Sequence, residues 1–163
     1  MRPPRSTCRK LDQTLKPHPR SRWLVAGSAW HSQEPLCQSI GLAAIRTGFT
    51  VYYRSIFDTV RDFLHDEAME GHDKILMKYL KPALLIIDDM GMKQVPKRSG
   101  EYLFEIIMRR HEVRSTMMTS NRPLDDWGKL IGDVPSATAI VDRFLHRAEV
   151  VQITGKSYRL DKT

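Results

Sequence analysis

One stretch, residues 84–91, limits what this chain can fold into more than any other. It places four apolar residues in a row, two of them β-branched, directly before Asp88 and Asp89. Such a run predicts a strand buried on both faces, which is typical of a parallel sheet covered by helices. Ligands bind at the carboxyl ends of such strands, so the two carboxylates are candidates for holding Mg²⁺ and orienting a water molecule. A solvated Asp-Asp turn is the alternative interpretation.

Predicted strands and helices alternate along nearly the whole chain. The other apolar strand runs are residues 23–27, 49–53, 115–120 and 150–153. Helical spacing predicts helices between them, over residues 36–46, 56–64, 75–80, 102–110, 124–131 and 135–145. Ser55 is the predicted N-cap of the second helix, and residues 28–35 are predicted to be a loop. The alternation predicts an α/β fold, a three-layer sandwich with a mostly parallel sheet.

The positive charge of the chain is concentrated near its start. The 163 residues carry a net charge of +7, which by itself favours a nucleic-acid partner. Residues 1–35, however, hold seven basic and two acidic side chains, and thus most of that excess. We predict a disordered basic tail over residues 1–22 and one domain over residues 23–163. Cys8 and Cys37 have no metal-binding or redox spacing, and we find no signal peptide or membrane span, so we expect a cytoplasmic protein with free thiols.

Two further positions are candidate functional residues. Asn121 ends a predicted strand, so it could lie beside Asp88 and orient a water molecule or a phosphate, although asparagine is also common in turns. Arg143 could neutralise charge on a transferred phosphoryl group, or it could be a solvated charge on an amphipathic helix. The six histidines show no ligand spacing and are expected to be surface residues.

From Leu36 to Leu160 the chain resembles the IstB-like ATP-binding proteins. These are helper ATPases of insertion-sequence transposition, and they are AAA+ proteins similar to the bacterial helicase loader DnaC. The resemblance depends on the order and spacing of five segments, residues 40–45, 84–91, 119–128, 141–146 and 155–160. It covers about three quarters of the chain.

The resemblance implies roles for individual residues. Asp88 would hold Mg²⁺, Asp89 would polarise the attacking water, and Asn121 would be the polar sensor residue. Arg143 would be the arginine finger that reaches the nucleotide of a neighbouring subunit, and Arg159 would be the second sensor arginine. The implied cofactors are ATP and Mg²⁺. The implied partners are DNA, a transposase and further copies of the chain, which assemble when ATP and DNA are present.

The chain departs from the family in its phosphate loop. Such an ATPase needs G-x-x-x-x-G-K-[ST] between the first strand and the first helix, and residues 27–34 occupy that place. Of these candidate nucleotide-binding positions Gly27 fits, but Gln33 replaces the lysine and Glu34 replaces the hydroxyl residue. We therefore expect weak ATP binding and weak or absent hydrolysis. The alternative is an inactive remnant that binds at most DNA or a partner protein.

The abrupt start of the resemblance at Leu36 predicts that the preceding residues come from a shifted reading frame of a truncated or frameshifted gene. Trp30 is encoded by TGG and the codon of His31 begins with CA, so a reading one base later must contain glycine. The same offset permits Leu-Leu-Leu-Gly-Pro-Pro-Gly-Thr-Ala-Lys-Ser-His over residues 24–35, which is a strand and a lysine-bearing phosphate loop. Residues 1–35 are then expected to be disordered or to pack poorly. The coding DNA, translated in all frames, tests this.

Overall fold

The sheet contains five parallel strands in the order β2-β3-β4-β1-β5. The computed structural model describes residues 20–26, 30–67, 71–90, 96, 99–131, 134–146 and 148–153. The strands are β1 (Arg22–Ala26), β2 (Val51–Ser55), β3 (Leu84–Met90), β4 (Ser115–Ser120) and β5 (Glu149–Gln152). The helices are α1 (Trp30–Arg46), α2 (Ile56–Glu67), α3 (His72–Leu80), α4 (Ser99–Arg110), α5 (Trp127–Ile131) and α6 (Val134–Leu145), with a 3₁₀ turn at Leu124–Asp126.

Helices cover both faces of the sheet, so the predicted three-layer α/β sandwich is confirmed. Alternate residues of β3 enter two different apolar clusters, because successive side chains of a strand point to opposite faces. Leu85 and Ile87 pack with the larger cluster, which includes Phe63 and Phe144 from the helices. The smaller cluster, on the α1 side, contains the following residues: Trp23, Val25, Cys37, Ile40, Ala44, Leu84, Ile86 and Met117.

The first strand corrects one expectation. The strand predicted at residues 23–27 is present as β1, but the disorder or poor packing expected of residues 1–35 under a shifted frame does not hold for residues 22–26, because β1 pairs in parallel with both β4 and β5. Trp23, Leu24 and Val25 are at most 1% exposed. Their apolar side chains suit an interior strand of a sheet that helices cover on both faces. Burial of such a side chain contributes roughly 1.5–3 kcal/mol to stability. Residues 1–19 lie outside the described part of the chain.

Several predicted boundaries are wrong. Helix α1 begins at Trp30 and not at residue 36, with Pro35 inside it. A proline removes one helical hydrogen bond, but Cys37, Ile40 and Ala44 after it are buried against the sheet, which holds this helix in place. Strand β2 begins at Val51, two residues later than predicted. The predicted cap of α2 is confirmed, since Asp58 N–H donates to Ser55 Oγ at 3.1 Å.

No helix within the described residues is long and apolar enough to cross a membrane.

Candidate functional site

The Asp88 carboxylate lies at the carboxyl end of β3 and is only 4% exposed. The hydroxyl of Thr119 donates a hydrogen bond to Oδ1, and the hydroxyl of Tyr53 donates one to Oδ2. The backbone N–H of Asp89 also donates to Oδ1, at 2.9 Å. Three donors from three neighbouring strands therefore fix the orientation of this buried carboxylate. Buried polar groups require such partners.

Asp89 occupies an unusual backbone conformation directly after Asp88. Its φ is +64°, in the left-handed region, and the pairing of β3 with β4 shifts register between Ile87 and Met90. Aspartate visits this region more readily than most residues, at a cost of about 1–3 kcal/mol. Its N–H is shared between Asp88 Oδ1 and Thr119 Oγ1, the latter at 3.1 Å. Irregular pairing of this kind re-aims side chains next to active sites, so Asp89 does not continue the regular alternation of β3.

Asn121 follows β4 at the same edge of the sheet, because β4 is paired with β3 and Met90 lies opposite Ser120. The turn is held by Ser120 Oγ, which donates to the carbonyl of Arg122 at 2.8 Å and accepts from Trp127 Nε1 at 3.2 Å. Asn121 Oδ1 is buried and has no hydrogen-bond partner in the structure. The structure thus brings Asp88, Asp89 and Asn121 to one edge, as the sequence predicts, and leaves an acceptor oxygen there.

Helix α1 starts at this edge too. Ala26, the last residue of β1, lies opposite Ser120, and α1 begins four residues later. Of the predicted nucleotide-binding positions, Gly27 and Arg159 lie outside the described residues. Gln33 and Glu34 belong to the backbone of α1, but their side chains are not described. Helix α1 therefore begins within residues 27–34, the segment that the sequence predicts as the phosphate loop.

Cys37 connects α1 electrostatically to Asp88. The thiol is free, fully buried and part of the smaller apolar cluster. Burial, together with the smaller effect of the negative charge of Asp88, raises the pKa of Cys37 to about 12. The thiol is therefore neutral at physiological pH and not a nucleophile, because the thiolate is the reactive form.

This pKa gives a testable pH dependence. The Cys37 pKa is about 12 in the folded chain against an ordinary value of 9.0, so the folded state keeps a proton that the unfolded state releases. The resulting stability is present below pH 9 and is lost as the pH rises toward 12. Between pH 8 and pH 11 we expect the unmodified chain to lose on the order of 2 kcal/mol more unfolding free energy than Cys37→Ala. Urea unfolding at both pH values measures this, and equal losses in the two chains would contradict it.

Arg143 lies at the opposite edge of the sheet from Asp88. Arg143 is exposed and lies near the end of α6. The chain continues from α6 into β5, whose first residue, Glu149, pairs with Trp23 near the start of β1. The end of α6 is therefore at the amino-terminal edge of the strands. His111 lies between α4 and β4. Burial and the charge of Arg22 lower its pKa, and the positive charge of Arg143 contributes a smaller decrease. Arg143 therefore does not reach Asp88 of its own chain, and its side chain is exposed at the surface.

Sequence reasoning missed one cluster at this second edge. His111, Glu112 and His146 place one potential ligand atom each within 4.8 Å of one another, although the histidines were expected to be unrelated surface residues. Burial lowers the pKa of His111, and the positive charge of Arg22 lowers it further. The sequence spacing of these residues does not predict the cluster. The two histidines come together only because α4 and α6 end at the same edge of the folded sheet.

Comparison with known protein families decides the relationship of this chain. The sequence profile of the family described as "IstB-like ATP binding protein" matches residues 25–163. The chain belongs to the IstB-like ATP-binding proteins. Its relatives include the ATP-binding protein of insertion sequence IS5376 from Geobacillus stearothermophilus, which is 38% identical over 125 residues, 77% of this chain and 50% of the relative. The corresponding protein of IS232 from Bacillus thuringiensis is 34% identical over the same shares. This IstB-like chain spans about half the length of those relatives.

Solved structures support the same fold. The DnaC helicase loader superposes with a TM-score of 0.70 at 18% identity, covering 91% of this chain and 87% of the loader. DnaI gives a TM-score of 0.72 at 17% identity, covering 96% of this chain and 85% of DnaI. AMPPCP-bound DnaA from Aquifex aeolicus gives 0.70 at 17% identity, covering 91% of this chain and 44% of DnaA. The IstB-like chain therefore has the fold of AAA+ P-loop NTPases.

The residues at the sheet edge and those of the predicted phosphate loop differ in how well they fit the family's cofactors. A carboxylate offers about four acceptor positions, and donors occupy three of those of Asp88, so one remains for a hydrated Mg²⁺, which keeps several of its waters in proteins. The loop does not fit a triphosphate in the same way. Gln33 is neutral where a lysine would bind phosphate, and Glu34 is an anion at the hydroxyl position.

Proposed function

We propose that this chain is a helper ATPase subunit of insertion-sequence transposition in which nucleotide binding is impaired. One observation carries the proposal: Asp88, Asp89 and Asn121 share a sheet edge at which α1, the helix that carries Gln33 and Glu34, begins. We assign residues 23–163 to one AAA+ domain. The names of its relatives connect them to insertion sequences and to ATP, which supports the cellular context.

Each residue at the edge has a role in this proposal. Asp88, held by Thr119 and Tyr53, would contact Mg²⁺ through the metal's water ligands. Asp89 would polarise a water molecule at this edge, and the unpartnered Oδ1 of Asn121 would orient that water. Mg²⁺, when bound, neutralises charge on the terminal phosphates. Because the loop does not fit a triphosphate, we derive no hydrolytic step.

Arg143 would act between subunits. Its exposed position at the edge away from Asp88 suits an arginine finger that is supplied in trans to a neighbouring copy. Oligomers formed with ATP and DNA, and a transposase partner, belong to this proposal. Arg159 would be the second sensor.

The proposal predicts that the purified chain hydrolyses Mg-ATP no faster than Asp88→Asn, with or without duplex DNA. Two weakened phosphate contacts keep the nucleotide from binding long enough to react, so removal of the Mg²⁺ ligand has little further effect. Phosphate release measured at 1 mM ATP tests this. A rate clearly above that of Asp88→Asn would show that the unusual loop supports catalysis.

The alternative function is an inactive AAA+ shell that binds DNA or a partner protein. The observation that favours it is the replacement of both phosphate-loop residues. Duplex binding measured by fluorescence anisotropy separates the two functions. A helper ATPase should change its DNA affinity when Mg-ATP is present at millimolar concentration, whereas an inactive shell should bind DNA equally with and without nucleotide.

A further inference from the structure

The His111–Glu112–His146 cluster, hereafter the histidine cluster, lies at the sheet edge opposite Asp88. His111 and Glu112 follow the last residue of α4, and His146 follows the last residue of α6. One ligand atom from each residue lies within 4.8 Å of the other two. The two imidazole rings are 5.9 Å apart between centroids and are tilted by 32°, so they do not stack face to face.

The geometry of the cluster is close to that of a metal site with three protein ligands. Ligand atoms at about 2.0–2.1 Å from a tetrahedral Zn²⁺ lie roughly 3.4 Å apart. Glu112 and His146 are exposed, so small side-chain rotations can close the remaining distance. The Nε2 atom of His111 is buried and has no hydrogen-bond partner in the structure, which is an unusual state for a buried polar atom.

The chemistry of the three ligands selects the metal. Two imidazoles and one carboxylate favour Zn²⁺ and similar transition metals over Mg²⁺ or Ca²⁺, which prefer oxygen ligands. The surrounding charge weakens the site, because Arg22 and Arg143 are near enough to act on His111. The negative charge of Glu112 offsets part of that repulsion. A weak site with an open coordination position is therefore expected.

We propose that the histidine cluster binds one divalent transition-metal ion, such as Zn²⁺, through His111, Glu112 and His146. The ion joins the segment after α4 to the segment after α6, and so fixes the end of the helix that carries Arg143. The proposal does not depend on nucleotide binding, because the cluster and Asp88 lie at opposite edges of the sheet.

The test is a titration of the full chain, freed of any affinity tag, with Zn²⁺ alone at pH 7.5, where unperturbed imidazoles are mostly neutral. We expect one ion per chain at this site and at least a tenfold weaker affinity in His146→Ala and in Glu112→Gln. Both positions are exposed, so the variants should fold, which circular dichroism checks. Saturating Zn²⁺ should also raise the melting temperature of the unmodified chain by a few degrees, and not that of His146→Ala.

His72→Ala is the matched control. His72 is also partly exposed and lies 3.0 Å from a glutamate, Glu105, but no third ligand joins that pair among the described residues. Its replacement should leave Zn²⁺ affinity unchanged. The proposal fails if the unmodified chain binds no Zn²⁺ below about 1 mM, or if His146→Ala binds it as tightly as the unmodified chain does. Co²⁺ in place of Zn²⁺ gives a second readout, since its visible absorption should change only when the cluster is intact.

Discussion

Replacing Gln33 with lysine and Glu34 with serine is expected to raise the affinity of the chain for Mg-ATP by about 10²- to 10⁴-fold. The double variant restores a charged contact to the phosphates and a hydroxyl for the metal, and it removes an anion from the same place. Each hydrogen bond to a charged group contributes about 1.5–3 kcal/mol, and each 1.4 kcal/mol is about tenfold in affinity. Titration calorimetry with Mg-ATP measures the change.

Two further variants test the cause of this gain in affinity, one for net charge and one for contact with Mg²⁺. Gln38→Lys with Glu101→Ser makes the same changes of residue type at exposed positions outside the loop, and it should leave the affinity within about threefold of the unmodified value. Adding Asp88→Asn to the restored loop should weaken nucleotide binding in Mg²⁺ but not in EDTA, if Asp88 contacts the metal. An equal gain from the surface double variant would attribute the effect to net charge.

Arg110→Ala is expected to destabilise the fold by about 3–5 kcal/mol. Arg110 is 2% exposed. Its guanidinium donates hydrogen bonds to the hydroxyl of Thr116 and to four backbone carbonyls, those of Tyr79, Leu80, Pro82 and Ser115. These acceptors lie around the end of α3 and the start of β4. Burial lowers the pKa of Arg110, and the positive charge of Arg114 lowers it further, yet arginine stays protonated at pH 7. Removing this side chain leaves several buried acceptors without a donor.

The neighbouring arginine provides the control. Arg109 is 53% exposed and pairs with Glu105 at 2.8 Å on the surface of α4, so Arg109→Ala should cost less than about 1 kcal/mol. Arg110→Lys should fall between the two, because an ammonium keeps the charge but cannot reach all of these acceptors. Urea unfolding measures all three. If Arg110→Ala and Arg109→Ala lose the same free energy, the buried network contributes little to stability.

The sequence predicted the sheet and the shared edge of Asp88, Asp89 and Asn121, because both depend on short-range patterns. Leu84–Met90 and Ser115–Ser120 are apolar runs followed by polar residues, and parallel strands bring their carboxyl ends to one side. The left-handed conformation of Asp89 was not predicted, because it arises from the shift in pairing between β3 and β4. The shift depends on how two distant segments pair, so the sequence of neither segment alone predicts it.

Long-range contacts also explain the other differences between the predicted elements and the structure. Pro35 suggested a loop, but packing of the residues after it extends α1 back to Trp30. The histidine cluster unites residues that are 35 positions apart, His111 and His146. The origin of the residues before Leu36 stays a prediction for the coding DNA to test. The close packing of β1 contradicts the disorder expected of residues 22–26 under a shifted frame.

The central claim is that the sheet edge of an AAA+ ATPase is present while the phosphate loop limits nucleotide binding. A calorimetric titration of Mg-ATP into the unmodified, folded chain tests it most directly. We predict no saturable binding below about 1 mM, since Gln33 and Glu34 replace two contacts worth about 1.5–3 kcal/mol each. Saturable 1:1 binding at micromolar concentration would contradict the claim and would mean that residues 27–34 form a working phosphate site of a different kind.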